Sequence, residues 1–340
     1  MVQNIQRYGY LLGITCFLSL SGLCYLYSFS RHRTTTELLK VQSERGSFPV
    51  YNYMQDEIKM EVSSSSETDS KRRILPTVLF NVQPKSGSRT LYELVQKLGN
   101  STRKNITIKN TMGGYSQTFF EKVSEIKGLV HSNEMGFLYS HMRYQGFRND
   151  KNPPKYISIV REPIDRLVSL YYFVRYGDNI KEDGNGAGKE FRERMKKMNF
   201  SNESFDECVL NGRSSCRDPG AIVRHFCGYD KKICIKTSRS KAYDRAVYNI
   251  NKHYDVVGIM EDYLSTLKLL EKLIPEIFEG VVNLYMEEKR VIVSKMKTKN
   301  KTSISMKARN MLKKEMAIDY KLYNYIKHTF KLKKKRLGID

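Results

Sequence analysis

The sequence predicts an α/β fold, a central, mostly parallel sheet flanked by helices, behind one N-terminal transmembrane helix. Three observations carry the prediction. From Ile74 onward, short apolar runs that read as strands alternate with amphipathic stretches, the pattern of a parallel sheet covered on both faces. Near the start, one uncharged run is long enough to cross a bilayer. Between the first strand and the first helix lies NVQPKSGSRTL, residues 81–91, a small-residue turn with a lysine of the kind that holds phosphate.

Taken in order, residues 1–7 form a short tail and residues 8–30, YGYLLGITCFLSLSGLCYLYSFS, form the anchor, bracketed by Arg7 and Arg31-His32-Arg33. No small-x-small site ends the run, which favours a retained anchor over a cleaved signal peptide. The positive-inside rule alone would leave Arg31-His32-Arg33 cytoplasmic. Residues 31–72 are polar, contain SSSSETDS and show no sustained apolar period, so they read as a stem. The folded body is 73–340. Its strands are expected at Leu75–Val82, Phe137–His141, Tyr156–Val160 and Val256–Ile259, and its helices at Thr90–Leu98, Pro163–Tyr176, Arg239–His253 and Tyr263–Leu273. Residues 181–203 are Gly-rich and charged, a surface insertion. A last helical stretch, 304–330, runs into KLKKKRLGID.

The apolar fraction of 40%, with 23 tyrosines and 15 phenylalanines among 340 residues, suffices for a substantial core. A formal net charge of +23 implies an anionic partner: nucleic acid, acidic lipid or acidic polysaccharide. The six cysteines divide into Cys16 and Cys24 in the anchor and a group of four, Cys208, Cys216, Cys227 and Cys234. Zinc ligation and two disulfides are both open for that group, although the lack of a C-x-x-C pair weakens zinc. Disulfides would require an oxidising compartment. Glycosylation sequons recur at Asn100, Asn105, Asn199, Asn202 and Asn300. Together these features favour a lumenal body, which sets nucleic acid aside and brings an acidic glycan forward.

Three local features suit one chemistry. In the loop at 85–90, Lys85-Ser86-Gly87-Ser88-Arg89-Thr90, backbone N–H groups at a helix start would make an anion site and Lys85 would add a full charge. The alternative is an ordinary strand–helix turn with a solvated lysine. The triphosphatase pattern G-x-x-x-x-G-K-[ST] is absent. In YISIVREPIDRLVSLYYF, residues 156–173, a strand ends at Arg161, Pro163 suits a first helical turn, and Ser169 follows on the helix. Arg161 and Ser169 would form a second phosphate site, unless Arg161 pairs with Glu162 or Asp165 and Ser169 is a packing residue. A magnesium-dependent kinase would want a carboxylate where Arg161 stands. In GFLYSHMRYQGF, residues 136–147, His141 ends a strand, where ligands gather in open α/β sheets, and histidine is the usual general base near neutral pH.

These segments resemble the 2-O-sulfotransferases that act on uronic acids in glycosaminoglycans, a family with a heparan branch and a uronyl and Pipe branch. The resemblance covers roughly 75–335 and includes PKSGSRTL, the His141 segment, ISIVREPIDRLVSLYYFVRYGD, FDECVLNGRSSC, HFCGYDKKIC, VVGIMED and YNYIKHTFKLKKKRLG. It implies a P-loop-like sulfotransferase fold and 3′-phosphoadenosine 5′-phosphosulfate as sulfuryl donor, with no metal. It further implies Lys85–Thr90 as the phosphosulfate loop, Arg161 and Ser169 as the 3′-phosphate site, Lys85 and His141 as catalytic residues, and His141 as the base. Disulfides Cys208–Cys216 and Cys227–Cys234, a type II Golgi topology with the body lumenal, and a homotrimer also follow from the resemblance. Ser86-Gly87-Ser88-Arg89-Thr90 is the loop of the uronyl and Pipe branch, and Tyr139 stands where the heparan branch has a second histidine. Both details lean toward dermatan or chondroitin sulfate-type acceptors over heparan sulfate. Arg143, Arg148 and Arg175 are candidate acceptor contacts or ordinary surface arginines, and Lys333-Lys334-Lys335-Arg336 reads as a solvated basic end. The competing class is a non-catalytic Golgi glycan-binding protein on the same fold.

Overall fold

The computed structural model describes residues 76–339 apart from 102–104, 111–118, 133, 148–152, 180–196, 198–201 and 237–238. The expected tail, anchor and stem, Arg148, Asn199 and most of the 181–203 insertion lie outside the described residues. The described chain forms one five-stranded sheet, β1 (Thr77–Asn81), β2 (Thr107–Asn110), β3 (Gly136–Ser140), β4 (Lys155–Val160) and β5 (Tyr254–Ile259). Their order is β2-β3-β1-β4-β5 and every pairing is parallel. β1 reads TVLFN and is buried at every position, as a central strand covered on both faces must be. From β3 the chain crosses over β1 to reach β4, so β1 lies at the switch point. The ends of β1, β3 and β4 therefore open into one crevice, the usual ligand site of such sheets.

Three helices have the bounds that periodicity predicts. They are α3 (Pro163–Tyr176), α6 (Arg239–His253) and α7 (Tyr263–Leu273). α3 begins with Pro163, and the Glu162 side chain accepts from Asp165 N at 2.6 Å, so its start is fixed by a cap and a preset φ. The helix after the lysine-bearing turn, α1 (Ser88–Ser101), is longer than expected at both ends. The sequence reading missed β2, whose TIKN is half-exposed to exposed; an edge strand with so little apolar surface leaves no run to detect. It also placed His141 inside a strand, whereas β3 ends at Ser140. Four further helices went unread: α2 (Phe119–His131), α4 (Phe205–Leu210), α5 (Ala221–Cys227) and α9 (Val281–Lys295), beside the short α8 (Pro275–Phe278).

The closing stretch is two helices, α10 (Met306–Glu315) and α11 (Ala317–Arg336), broken at buried Met316. The break sets buried Asp319 against the start of α5, where its carboxylate accepts from Gly220 N, from Ile222 N at 2.9 Å and from Val223 N at 3.3 Å. Around the sheet lies one large apolar core. A second, smaller core joins α3 to α4 and α10 through Leu167, Tyr171, Phe205, Cys208, Cys216 and Leu312. Cys208 is bonded to Cys216 there, and Cys227 to Cys234 beside α5. Each bond closes a loop of fewer than ten residues, worth about 2–3 kcal/mol by loop entropy. Asn100, Asn105, Asn202 and Asn300 are all exposed.

One fold prediction arises here. A Cβ on Gly258 of β5 would lie 2.1 Å from Thr266 Cγ2, and the Thr266 hydroxyl is itself fixed, accepting from Ile259 N at 2.9 Å with its one proton between Ile259 O and Asp262 O, both 3.1 Å away. Gly258→Ala is expected to cost about 1–3 kcal/mol by overpacking. Thermal unfolding would check it, and an unchanged midpoint would refute it.

Candidate functional site

The turn after β1 is built from two left-handed residues. Lys85 has φ 68° and Gly87 φ 79°. A non-glycine residue at positive φ is uncommon and is found where the surroundings hold it. At Gly87 the restriction is steric as well: an added Cβ would lie 2.9 Å from the Tyr263 ring, and the Tyr263 hydroxyl donates to Gly87 O at 3.0 Å. The turn delivers buried Ser86 and Ser88 and the start of α1, whose first turn carries no acidic residue. The floor beneath is pinned by Asn81, which donates to Met142 O at 2.8 Å and accepts from the Tyr254 hydroxyl at 2.9 Å. Val82 N also donates to Ser140 O at 2.9 Å. The exits of β1 and β3 are thus held together.

Four cations gather here. Lys85 Nζ lies 3.9 Å from the centre of the Phe173 ring on α3, and the Arg89 guanidinium lies 5.3 Å from the same ring. Arg161, at the end of β4, donates through Nη1 to Lys85 O at 3.3 Å. Burial first, then Arg89, pushes the Lys85 ammonium down to about 7 from 10.5; Asp178 opposes this, and Arg161 and Lys301 add to it. Lys301 is likewise lowered, by burial and then by Arg161. Carboxylates are nearby but engaged. Asp178 pairs with Arg89, while Asp165 accepts from Arg309 at 2.7 Å. Burial, with the positive charge gathered around it, lowers the lysine, and such a site favours an anion in its midst.

His141, half-buried, follows β3, and its Nε2 is 3.4 Å from the Tyr139 hydroxyl. That hydroxyl is in turn 3.0 Å from Ser88 Oγ. Burial drives Tyr139 up to about 12, against the Ser88 hydrogen bond, so the phenol keeps its proton. A second histidine, His225, is buried on α5 with Nε2 3.4 Å from Ser158 Oγ. Burial lowers it to about 3, so it is a neutral packing residue and a very weak base.

The structure thus joins Lys85, Arg89 and Arg161, and links His141 to the same turn through Tyr139 and Ser88. Ser169 is buried, and its hydroxyl is 3.2 Å from Thr298 Oγ1. Arg161 does not take Glu162 as its partner; the Glu162 carboxylate is held by Arg309 and the Tyr320 hydroxyl. Arg143 donates from its backbone to the Tyr229 hydroxyl at 3.1 Å, with its guanidinium 5.9 Å from that ring. Arg175 stacks on Tyr171, 3.4 Å from ring centre. Among the described residues, no cluster of three or more His, Cys, Asp or Glu side chains has metal-binding geometry.

Sequence reading missed Phe173, Asp178, Thr298, Lys301 and the linking role of Tyr139. Asp178 and Thr298 form an isolated antiparallel bridge, and Lys299 N donates to Gly177 O at 3.1 Å. The segment carrying Lys301 is thereby laid against the end of α3. Its only sequence signal is the lysine run in KMKTKNKT, residues 295–302.

The chain is similar in sequence to known sulfotransferases. Over 276 residues, 78% of this chain, it is 29% identical to human (Homo sapiens) uronyl 2-sulfotransferase. It is 31% identical over 220 residues, 63% of the chain, to heparan sulfate 2-O-sulfotransferase 1 of Cricetulus griseus. The matches span 66% and 59% of those relatives, less than two thirds of their length. A crystal structure of the mouse sulfotransferase SULT7A1 complexed with PAP aligns over 71% of this chain and 74% of its own, at 16% identity and a TM-score of 0.34. The sulfotransferase family profile matches residues 78–326, a span that contains the lysine turn, His141 and Arg161. The chain belongs to the sulfotransferase family.

Proposed function

We propose that this protein transfers a sulfuryl group from 3′-phosphoadenosine 5′-phosphosulfate to the 2-hydroxyl of iduronate or glucuronate in dermatan or chondroitin sulfate-type glycosaminoglycans. One observation carries the reading: four cations gathered about the turn after β1 and a histidine after β3, with the turn and the histidine joined by hydroxyl contacts at 3.0 and 3.4 Å. Lys85-Ser86-Gly87-Ser88-Arg89-Thr90 would hold the 5′-phosphosulfate, a role the left-handed turn and the carboxylate-free start of α1 suit. Arg161 and Ser169 would hold the 3′-phosphate, with Thr298 adding a second hydroxyl beside Ser169.

In this reading His141 removes the proton of the acceptor hydroxyl, and the freed oxygen bonds to sulfur. The sulfur–oxygen bond to phosphate breaks, and its electron pair stays on the phosphate. Lys85 and the amides of the turn stabilise the charge that grows there, a contribution typically worth about 2.7–4 kcal/mol per donor. Lys85, Arg89, Arg161 and Lys301 supply the positive field. The surplus of basic residues suits a polyanionic acceptor, with Arg143, Arg148 and Arg175 as contacts. Residues 1–7, 8–30 and 31–72 would serve as cytoplasmic tail, Golgi signal anchor and lumenal stem to a catalytic domain at 73–340 that assembles as a homotrimer.

Tyr139, where the heparan branch has a second histidine, and the Gly-Ser-Arg form of the loop favour a dermatan or chondroitin acceptor. Incubating the protein with radiolabelled donor and defined polysaccharides, followed by specific lyases, tests this. Label is expected in 2-sulfated uronate disaccharides from dermatan or chondroitin sulfate. Label confined to heparan sulfate would move the acceptor. No binding of desulfated donor, together with no label in any polymer, would replace the enzyme by a glycan-binding protein.

A further inference from the structure

The face formed by α6 and by the loop that the Cys227–Cys234 disulfide closes takes no part in the chemistry above. That loop is tied to the segment carrying His141. Arg143 N donates to the Tyr229 hydroxyl at 3.1 Å, and Tyr144 N donates to His225 O, just before the loop, at 2.8 Å. Gly228, at φ 108°, packs so closely that a Cβ there would lie 2.8 Å from Tyr144 O. Past Tyr229 the Asp230 carboxylate accepts from Lys232 N at 2.9 Å and from Ile233 N at 3.0 Å, and a single helical turn follows, Lys231–Lys236. This turn packs on α6. An open groove of about 300 Å³ is lined there by Ile233, Lys241, Asp244, Arg245 and Tyr248.

We propose that this groove is a second binding site for the acceptor polymer, an acidic polysaccharide whose chain runs from the His141 crevice past Tyr229 onto α6. Lys231, Lys241 and Arg245 are exposed, and none of them forms an ion pair among the described residues. Lys241 and Arg245 stand four residues apart on one side of α6, with Tyr248 almost one turn further on. Such cations suit any polyanion, but the rest of the lining is more selective. The Asp244 carboxylate repels a bare polyanion and accepts from hydroxyls, which a sugar chain carries on every ring. Tyr248 is 41% exposed, and its ring offers an apolar surface to the C–H face of a pyranose. A groove also takes a single chain, whereas a lipid bilayer presents a plane.

The groove lies outside the reacting centre, so it acts on binding and not on the transfer step. A polymer held on α6 keeps its neighbouring uronates at a high effective concentration beside His141. An oligosaccharide too short to reach from the crevice to α6 gains nothing from the groove. The groove therefore separates long acceptors from short ones through KM, and it leaves kcat alone.

This inference rests on the proposed glycosaminoglycan acceptor, and its test separates the two. The double variant Lys241→Glu, Arg245→Glu is compared with the wild type on polymeric dermatan or chondroitin sulfate and on the shortest oligosaccharide that is turned over. KM for the polymer is expected to rise about tenfold at low salt, since an exposed ion pair is worth up to about fivefold. The difference should shrink at high salt, while KM for the short acceptor and kcat for both stay at wild-type values. Tyr248→Ala should raise the polymer KM at high salt as well, because its contact is not screened. Both charged positions are exposed on a helix, so an unchanged unfolding midpoint is expected and checks the fold. An unmoved polymer KM in the double variant would overturn the groove, as would a rise shared equally by short and long acceptors. Loss of binding to anionic-lipid vesicles, with polymer KM unmoved, would assign the face to a membrane instead. Absence of transfer by the wild type would overturn the underlying reading; polymer affinity by calorimetry then judges the groove alone, and equal affinity in the double variant would overturn it.

Discussion

Replacing His141 with alanine is expected to cut turnover by about 10²–10⁴-fold, the usual share of a positioned base, while affinity for desulfated donor stays essentially unchanged. The separation follows from placement. His141 leaves β3 at the crevice, whereas the charges expected to hold the donor, Lys85, Arg89, Arg161 and Lys301, come from the ends of β1 and β4 and from the segment after α9. His225 supplies the internal contrast. It is buried and pushed down to about 3, so it cannot hold a transferred proton near neutrality. His225→Asn is expected to lower the unfolding temperature rather than to abolish transfer in the protein that remains folded. Turnover by rapid-mixing assay, paired with donor-product calorimetry, measures both quantities. Near-wild-type turnover in His141→Ala would remove the histidine from the mechanism, as would a loss of donor binding equal to the loss of rate.

The sheet was legible because its central strands are buried on both faces and so read as unbroken apolar runs. β1 and β4 come from such runs, Thr77–Asn81 and Lys155–Val160. α3 was legible to the residue because a glutamate cap, a proline and Gly177 at φ 70° mark its ends. β2 was not, since an exposed TIKN has no apolar period. The break at Met316 was not either: the stretch is helical by propensity on both sides, and the interruption serves a long-range contact of Asp319 with α5. The same distinction divides the site. Lys85, His141 and Arg161 lie at strand ends, where local sequence suffices. Asp178, Thr298 and Lys301 reach the crevice through tertiary pairing of segments more than a hundred residues apart, which no local pattern records. Tyr139 is a core aromatic, 2% exposed; only its hydroxyl contacts distinguish it.

Lys85→Met is expected to reduce turnover by about 10²–10³-fold, the cost of losing one donor aimed at developing charge, and to abolish the pH dependence of donor affinity. The second effect follows from the lowered ammonium, and its sign is fixed. In the free protein Lys85 titrates at about 7, down from 10.5, through burial, then Arg89, with Asp178 opposing and Arg161 and Lys301 adding. A bound phosphate adds negative charge beside the ammonium and raises its pKa. Below pH 7 the lysine is already charged, so affinity is flat. Above pH 7 binding must take up a proton, and Kd rises by up to about tenfold per pH unit until the bound-state pKa is reached. At pH 7 the uptake is about half a proton per site, measurable by calorimetry in two buffers of different ionisation enthalpy. Methionine keeps the stem against Phe173 and removes the titrating group, so its affinity is weaker at pH 6 and flat above it. Lys85→Arg stays charged throughout; it should also be flat, but its planar fork cannot reproduce the point contact of an ammonium. A wild-type Kd that does not move between pH 6 and 9 would show that Lys85 is charged in the free protein. The Phe173 contact would then be an ordinary surface cation–π pair rather than the resting place of a lysine that gains its charge from the donor.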